Sequence, residues 1–153
     1  MSMKRRTFLK GTVAAVGVAA AAGLLSPRAV LAAWPKAAFD AKSMADAEAA
    51  AGLGGAAHSD AIEIKAPDIA ENGAVVPITV TSGIDGTTSI SILASENGTP
   101  MAAQFELGEG AQGMVSVRIK MGKTSDVYGM VKAGGKVYAN KKQVKVTIGG
   151  CGG

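Results

Sequence analysis

Very little in this chain can cross-link, coordinate or stack. Its 153 residues include one cysteine, one histidine, one tryptophan, two tyrosines and three phenylalanines. A single cysteine excludes an internal disulfide. A single histidine, His58, excludes a histidine-based metal cluster and a Ser-His-Asp triad within the chain. With aromatics at 4%, any core must rest on Val, Ile, Leu, Met and Ala. There is no CxxCH haem site, no P-loop and no dinucleotide fingerprint. Gly52, Gly54 and Gly55 read as a helix exit. The apolar run from Val13 to Leu25 falls short of the roughly 20 residues a membrane span needs.

What is present begins with an address. Lys4-Arg5-Arg6-Thr7-Phe8-Leu9-Lys10 is a charged n-region, Val13 to Leu25 an h-region, and Ala29-Val30-Leu31-Ala32-Ala33 a small-residue cleavage site. Arg5 and Arg6 before Phe8-Leu9-Lys10 match the twin-arginine export signal, although Lys4 stands where Ser or Thr is usual. Residues 1–32 are therefore expected to be removed after Ala32, with Ala33 as the next choice. The expected location is the periplasm, an oxidising compartment.

Removal of the leader changes the charge. The whole chain carries 16 Lys and Arg against 12 Asp and Glu. Five of the bases lie in the leader, which leaves 11 against 12 and removes support for nucleic-acid binding. The remaining charge is uneven. Residues 33–109 hold 11 acids and 3 bases, and residues 110–153 hold 8 bases and 1 acid. Strands from the two halves, paired side by side, would mix these charges. Alternatively, a basic face near the C-terminus would favour anionic ligands or acidic partners.

Residues 33–148 are expected to form one domain. Pro35 to about Ala51 is Ala-rich and predicts a helix, with Ser43-x-x-Asp46 as a weak capping box. Beyond Asp60 the apolar period is two. It runs through Ile62 and Ile64; Val76, Ile78 and Val80; Ile90 and Ile92; Ala103, Phe105 and Leu107; and Val115, Val117, Ile119 and Met121. Residues 125–133 predict a strand buried on both faces, and Gly134-Gly135 a hairpin turn into Val137-Tyr138-Ala139. Val144, Val146 and Ile148 end the pattern. Seven or eight short strands predict a mainly β fold: an immunoglobulin-like antiparallel β-sandwich with an N-terminal helix. Pro77 predicts an edge or a bulge. His58 is expected in a surface loop. Met101, Met114, Met121 and Met130 are expected mostly in the core.

The chain closes on Gly149-Gly150-Cys151-Gly152-Gly153. Four glycines leave the thiol without flanking side chains and predict a flexible arm. From Ile148, an extended chain carries Cys151 about 10 Å, at roughly 3.3–3.6 Å per residue. Thiolate sulfur makes and breaks bonds to sulfur, and nothing else in the chain turns over a substrate. A reactive group without catalytic machinery describes a covalent carrier and not an enzyme. Two other readings compete with it: a disulfide-linked structural or interaction module, and a copper chaperone using Met and His58.

The run from Val115 through Val-Ser-Val-Arg-Ile-Lys-Met-Gly-Lys-Thr-Ser-Asp-Val-Tyr to the terminal Lys-Val-Thr-Ile-Gly-Gly-Cys-Gly-Gly closely resembles the SoxY family. Val76-Pro77-Ile78-Thr79-Val80 and Ala102-Ala103-Gln104-Phe105 extend the resemblance upstream. It implies a sulfur carrier of thiosulfate oxidation, with sulfur intermediates held covalently on Cys151 and no separate cofactor. It implies a heterodimer with SoxZ, a second small β-sandwich. It further implies visits to three enzymes: the haem enzyme SoxAX, the dimanganese hydrolase SoxB and the sulfane dehydrogenase SoxCD. Gly149, Gly150, Gly152 and Gly153 would form the carrier arm.

Overall fold

The computed structural model describes residues 35–147. The leader with Arg5 and Arg6, the expected strand end at Ile148, and Cys151 with its four glycines lie outside the described residues. The Ala-rich segment forms two helices, α1 (Lys36–Asp40) and α2 (Met44–Ala51). The single helix expected over this stretch is broken at residues 41–43. Ser43 is extended, and its Oγ accepts from the Asp46 N–H at 3.2 Å. That capping bond starts α2 afresh, so alanine propensity does not carry α1 through. Gly52 ends α2 at φ 63°, and its N–H donates back to the Ala49 carbonyl. This left-handed exit is one that glycine takes without strain.

Nine strands follow: β1 (Ala57–His58), β2 (Ile62–Lys65), β3 (Ile69–Ala70), β4 (Val76–Ser82), β5 (Thr87–Ala94), β6 (Met101–Glu106), β7 (Met114–Ile119), β8 (Ser125–Ala133) and β9 (Lys136–Val146). One sheet runs β1-β9-β8-β5-β6, with β3 also on β9; the other runs β2-β4-β7. The fold is mainly β, as expected, and the long ladders are antiparallel. Two short parallel pairings, β1 and β3 on β9, were not legible in the periodicity. They place His58 at the end of β1 and not in a loop; its ring is exposed and 3.0 Å from Asp60.

The expected strand over 137–139 and the start of the one expected at Val144 belong to one strand of 11 residues, Lys136–Val146. Gly134 and Gly135, at φ 56° and 75°, make the hairpin that leads into it. Both angles are those of a type I′ turn, whose twist suits a two-residue hairpin. Pro77 lies in β4, the middle strand of its sheet. Pairing with β2 begins only at Thr79, so at Pro77 the strand has β7 alone beside it. The missing N–H therefore costs no ladder bond on the β2 side.

Two cores result. Ile62, Val76, Ile78, Val80, Ile90, Ile92 and Val131 fill the space between the sheets. Gly129 makes room there, since a Cβ on it would stand 3.0 Å from Val80 Cγ1. On the other face of the larger sheet, Ala38, Ala47, Ala51 and Leu53 cover Leu93, Met101 and Met130. Small alanines let the helices lie close, and Leu53 is fully buried. A side chain of that kind contributes roughly 1.5–3 kcal/mol. Met101, Met121 and Met130 are core residues, and Met114 is 51% exposed.

Candidate functional site: the root of the C-terminal arm

β9 leads from the Gly134-Gly135 turn to the last described residues. It pairs with β8 from Lys136 to Val144. Polar residues on it find partners in distant elements. Asn140 Nδ2 donates to the Ile62 carbonyl at 2.7 Å, and Lys142 Nζ to the Ala66 carbonyl at 2.7 Å. Lys142 also lies 3.0 Å from Asp68. Lys141 Nζ bonds Asp126 at 2.8 Å and stands 5.7 Å from the centroid of the Tyr128 ring. The hydrogen bond to Asp126 is the main cause holding the Lys141 ammonium above its ordinary pKa.

At the end of β9 successive amides are taken up on alternate sides. The Lys145 N–H donates to the carbonyl of Asp68, just before β3, at 3.0 Å, and the Thr147 N–H to the carbonyl of Ala70, in β3, at 3.2 Å. Between them, the Val146 N–H donates to Thr124 Oγ1 at 3.0 Å, on the loop that enters β8. Gly73 locks the same corner. The Met121 N–H donates to its carbonyl at 2.7 Å. A Cβ on Gly73 would come 2.4 Å from the Met121 carbonyl oxygen and 2.9 Å from Val146 Cγ1. The backbone is thus held from both sides through Thr147, which is exposed. Cys151 follows four residues later, within about 14 Å of extended chain.

Of the remaining candidates, only Met121 reaches this corner, and it does so through its backbone. His58 is on β1, beside Ala139 of β9 and distant in register from Val146. Met101, Met121 and Met130 are buried in packing roles. Among the described residues, no group of three or more His, Cys, Asp or Glu side chains is placed to hold a metal ion. What sequence reasoning missed is the scaffold of the arm's root: β3, Gly73 and Thr124. β3 is two residues long, too short to show a period, and glycine at 73 gives no sign of what it touches.

Backbone hydrogen bonds hold the chain as far as Thr147, and Ile148 and then Gly-Gly-Cys-Gly-Gly follow in the sequence. The family model for the sulfur oxidation protein SoxY matches residues 47–151, a span that includes the cysteine. This chain belongs to the SoxY family. The sulfur carrier protein SoxY from Chlorobium limicola f thiosulfatophilum is similar in structure, with a TM-score of 0.60 at 46% identity. The match covers 68% of this chain and 96% of that one. An engineered protein also aligns, at 15% identity and a TM-score of 0.41, over 57% of this chain and 20% of its own. No curated protein matches. Membership of SoxY makes the chain a sulfur carrier of sulfur oxidation.

Proposed function

We propose that this SoxY chain holds the intermediates of thiosulfate oxidation covalently on Cys151 and presents them to partner enzymes. The observation that carries this is the junction of β9 with the C-terminal sequence. Backbone hydrogen bonds fix the chain through Thr147, and a thiol flanked only by glycines follows within one short reach. Gly149, Gly150, Gly152 and Gly153 keep the arm slim enough to enter a narrow cavity, where a flanking Cβ would widen it.

The chemistry assigned to the thiol balances as follows. Oxidative coupling joins the outer sulfur of thiosulfate to Cys151 Sγ, releasing a proton and passing two electrons to a haem enzyme of the SoxAX type. Hydrolysis by an enzyme of the SoxB type then cleaves the bond between sulfane and sulfone sulfur. Water supplies the fourth oxygen of sulfate, two protons leave, and a persulfide remains on Cys151. A SoxCD-type dehydrogenase takes six electrons from that persulfide, three waters supply the oxygens, six protons leave, and a sulfonate on the outer sulfur results. The carrier works as a heterodimer with a SoxZ-type β-sandwich. It reaches the periplasm by the twin-arginine route that Arg5 and Arg6 direct, with the leader removed after Ala32.

The test is Cys151→Ser in the native cell, read by intact mass and by thiosulfate oxidation. The expected result is loss of all sulfur adducts and of thiosulfate oxidation, with an unchanged melting temperature. Wild-type rates in the variant would sink the carrier role. Gly150→Val with Gly152→Val is expected to leave labelling by small thiol reagents intact while enzyme-dependent loading falls. Equal loss of both would mean that the glycines set the thiol's reactivity and not its access.

A further inference from the structure

The uneven charge along the sequence resolves into two clefts at opposite ends of the sandwich. Near the arm's root, a cleft of about 600 Å³ opens between β6 and β7 and the loops after β5 and β7. Its charged lining is Lys42, Arg118 and Lys120, with no carboxylate among them. All three side chains are exposed, and none has an ion-pair partner among the described residues. At the far end, a cleft of about 650 Å³ is lined by Asp85 and Glu109 and by no base. Elsewhere the charges do mix: Lys123 pairs with Glu96, Lys141 with Asp126 and Lys142 with Asp68. Of the cations outside these pairs, Lys42, Arg118 and Lys120 gather in the cleft near the end of β9.

We propose that this basic cleft docks an acidic surface segment of the proteins that act on Cys151. The inference rests on the carrier reading above. Three features favour a peptide-like acidic partner over a small oxyanion. The floor of the cleft is partly apolar, with Met101 and Ile119 buried beneath it. An apolar floor with a charged rim is the anatomy of a protein contact. The cleft is also too large for one tetrahedral oxyanion, whose five heavy atoms take on the order of 100–150 Å³ at roughly 30 Å³ each. Finally, its one amide side chain is already committed. Asn97 Nδ2 donates to the Lys120 carbonyl at 2.7 Å, and Asn97 Oδ1 accepts from the Gly122 N–H at 3.1 Å. What remains for recognition is three rim cations and the Thr99 hydroxyl, and the cations suit a spread of carboxylates.

Position gives the docking its use. Gly122 lines the cleft. Two residues on, Thr124 accepts the hydrogen bond from the Val146 N–H. A partner seated in the cleft therefore lies beside the end of β9, five residues of chain before Cys151. The acidic far end repels the same partner, so the molecule is oriented as it approaches.

The experiment uses the mature chain with a fluorescent hexaglutamate peptide as probe, at low salt. Binding is expected, weakening as sodium chloride rises. Arg118→Glu with Lys120→Glu is expected to weaken it at least tenfold. Lys136→Glu, at the far-end turn, should change it less than twofold. Enzyme-dependent loading of Cys151 should fall in the double variant, while labelling by a small thiol reagent stays unchanged. Equal weakening by Lys136→Glu, or no binding at all, overturns the proposal. So does displacement of the peptide by sulfate but not by chloride at matched ionic strength, which would make the cleft a small-oxyanion site. Head-to-tail self-association abolished by Asp85→Lys with Glu109→Lys would make the occupant a second copy and would also overturn it. Failure of the carrier reading looks different: Cys151 would gain no sulfur in any variant, whether or not the peptide binds.

Discussion

The backbone N–H of Val146 donates to Oγ1 of Thr124 at 3.0 Å, and among the described residues this is the one hydrogen bond by which the loop entering β8 holds the end of β9. Thr124→Val keeps the shape and removes the acceptor. A hydrogen bond of this kind contributes about 0.5–1.5 kcal/mol, and the exposure of Thr124 puts the expected loss near the lower figure. Hydrogen exchange should show the Val146 amide opening faster while amides in β8 keep their protection. Unchanged exchange at Val146 would show that the bond does not hold the root.

Gly73→Ala is expected to be far more damaging. Its Cβ would meet the Met121 carbonyl oxygen at 2.4 Å, and backbone cannot swing aside as a side chain can. Overpacking of this severity costs about 3 kcal/mol, a fall in Tm of roughly 10 °C for a domain of this size. Thermal unfolding measures it directly. A stable variant would mean that the 71–75 loop shifts freely.

Ser91→Ala should behave in the opposite way. Ser91 is fully buried in β5 between Met130 and Gln104, and its hydroxyl has no hydrogen-bond partner among the described residues. Removing an unpartnered buried hydroxyl relieves a desolvation cost of about 1–3 kcal/mol. The expected outcome is an equal or higher Tm. A clear loss of stability would reveal a partner for the hydroxyl, such as a bound water.

Lys141 gives a pH dependence with a definite sign. Its pKa is raised in the folded state, chiefly by the hydrogen bond from its ammonium to Asp126. The unfolded chain therefore loses this proton first as pH rises. The stabilisation is complete below the ordinary lysine value of about 10.4 and disappears as pH climbs through the higher folded value. Lys141→Met should lack that alkaline step in a series of denaturant melts, and identical alkaline profiles would refute the assignment.

The sandwich was largely legible because β4, β7 and β8 wear their burial on the surface of the sequence. Val115, Val117 and Ile119 alternate with exposed partners, and 125–133 is almost continuously buried, as a strand covered on both faces must be. β5 misleads: Ser89 and Ser91 read as outward residues, yet both are buried near the layer that α1 and α2 lay over that face. β9 misleads in the other direction. Asn140, Lys141 and Lys142 look like a break between strands, but each is satisfied by a residue at least 15 positions away. A local pattern cannot register such partners. For the site the balance reverses. The thiol and its glycines are plain in the sequence, and the architecture that anchors them is visible only once β3, Gly73 and Thr124 come together.

The two-sided grip on β9 has a mechanical consequence. A strand held by one neighbour at its end can be peeled, one bond at a time. β9 lies between β8 on one edge and β1 and β3 on the other, and its hydrogen bonds run across the strand axis. A protein that seizes the arm tip and tugs along that axis loads these bonds in shear, all at once. The fold resists such a pull as a rivet does and not as a zipper does, so traction on the cargo is shared at once among β8, β1 and β3 and does not strip β9 bond by bond.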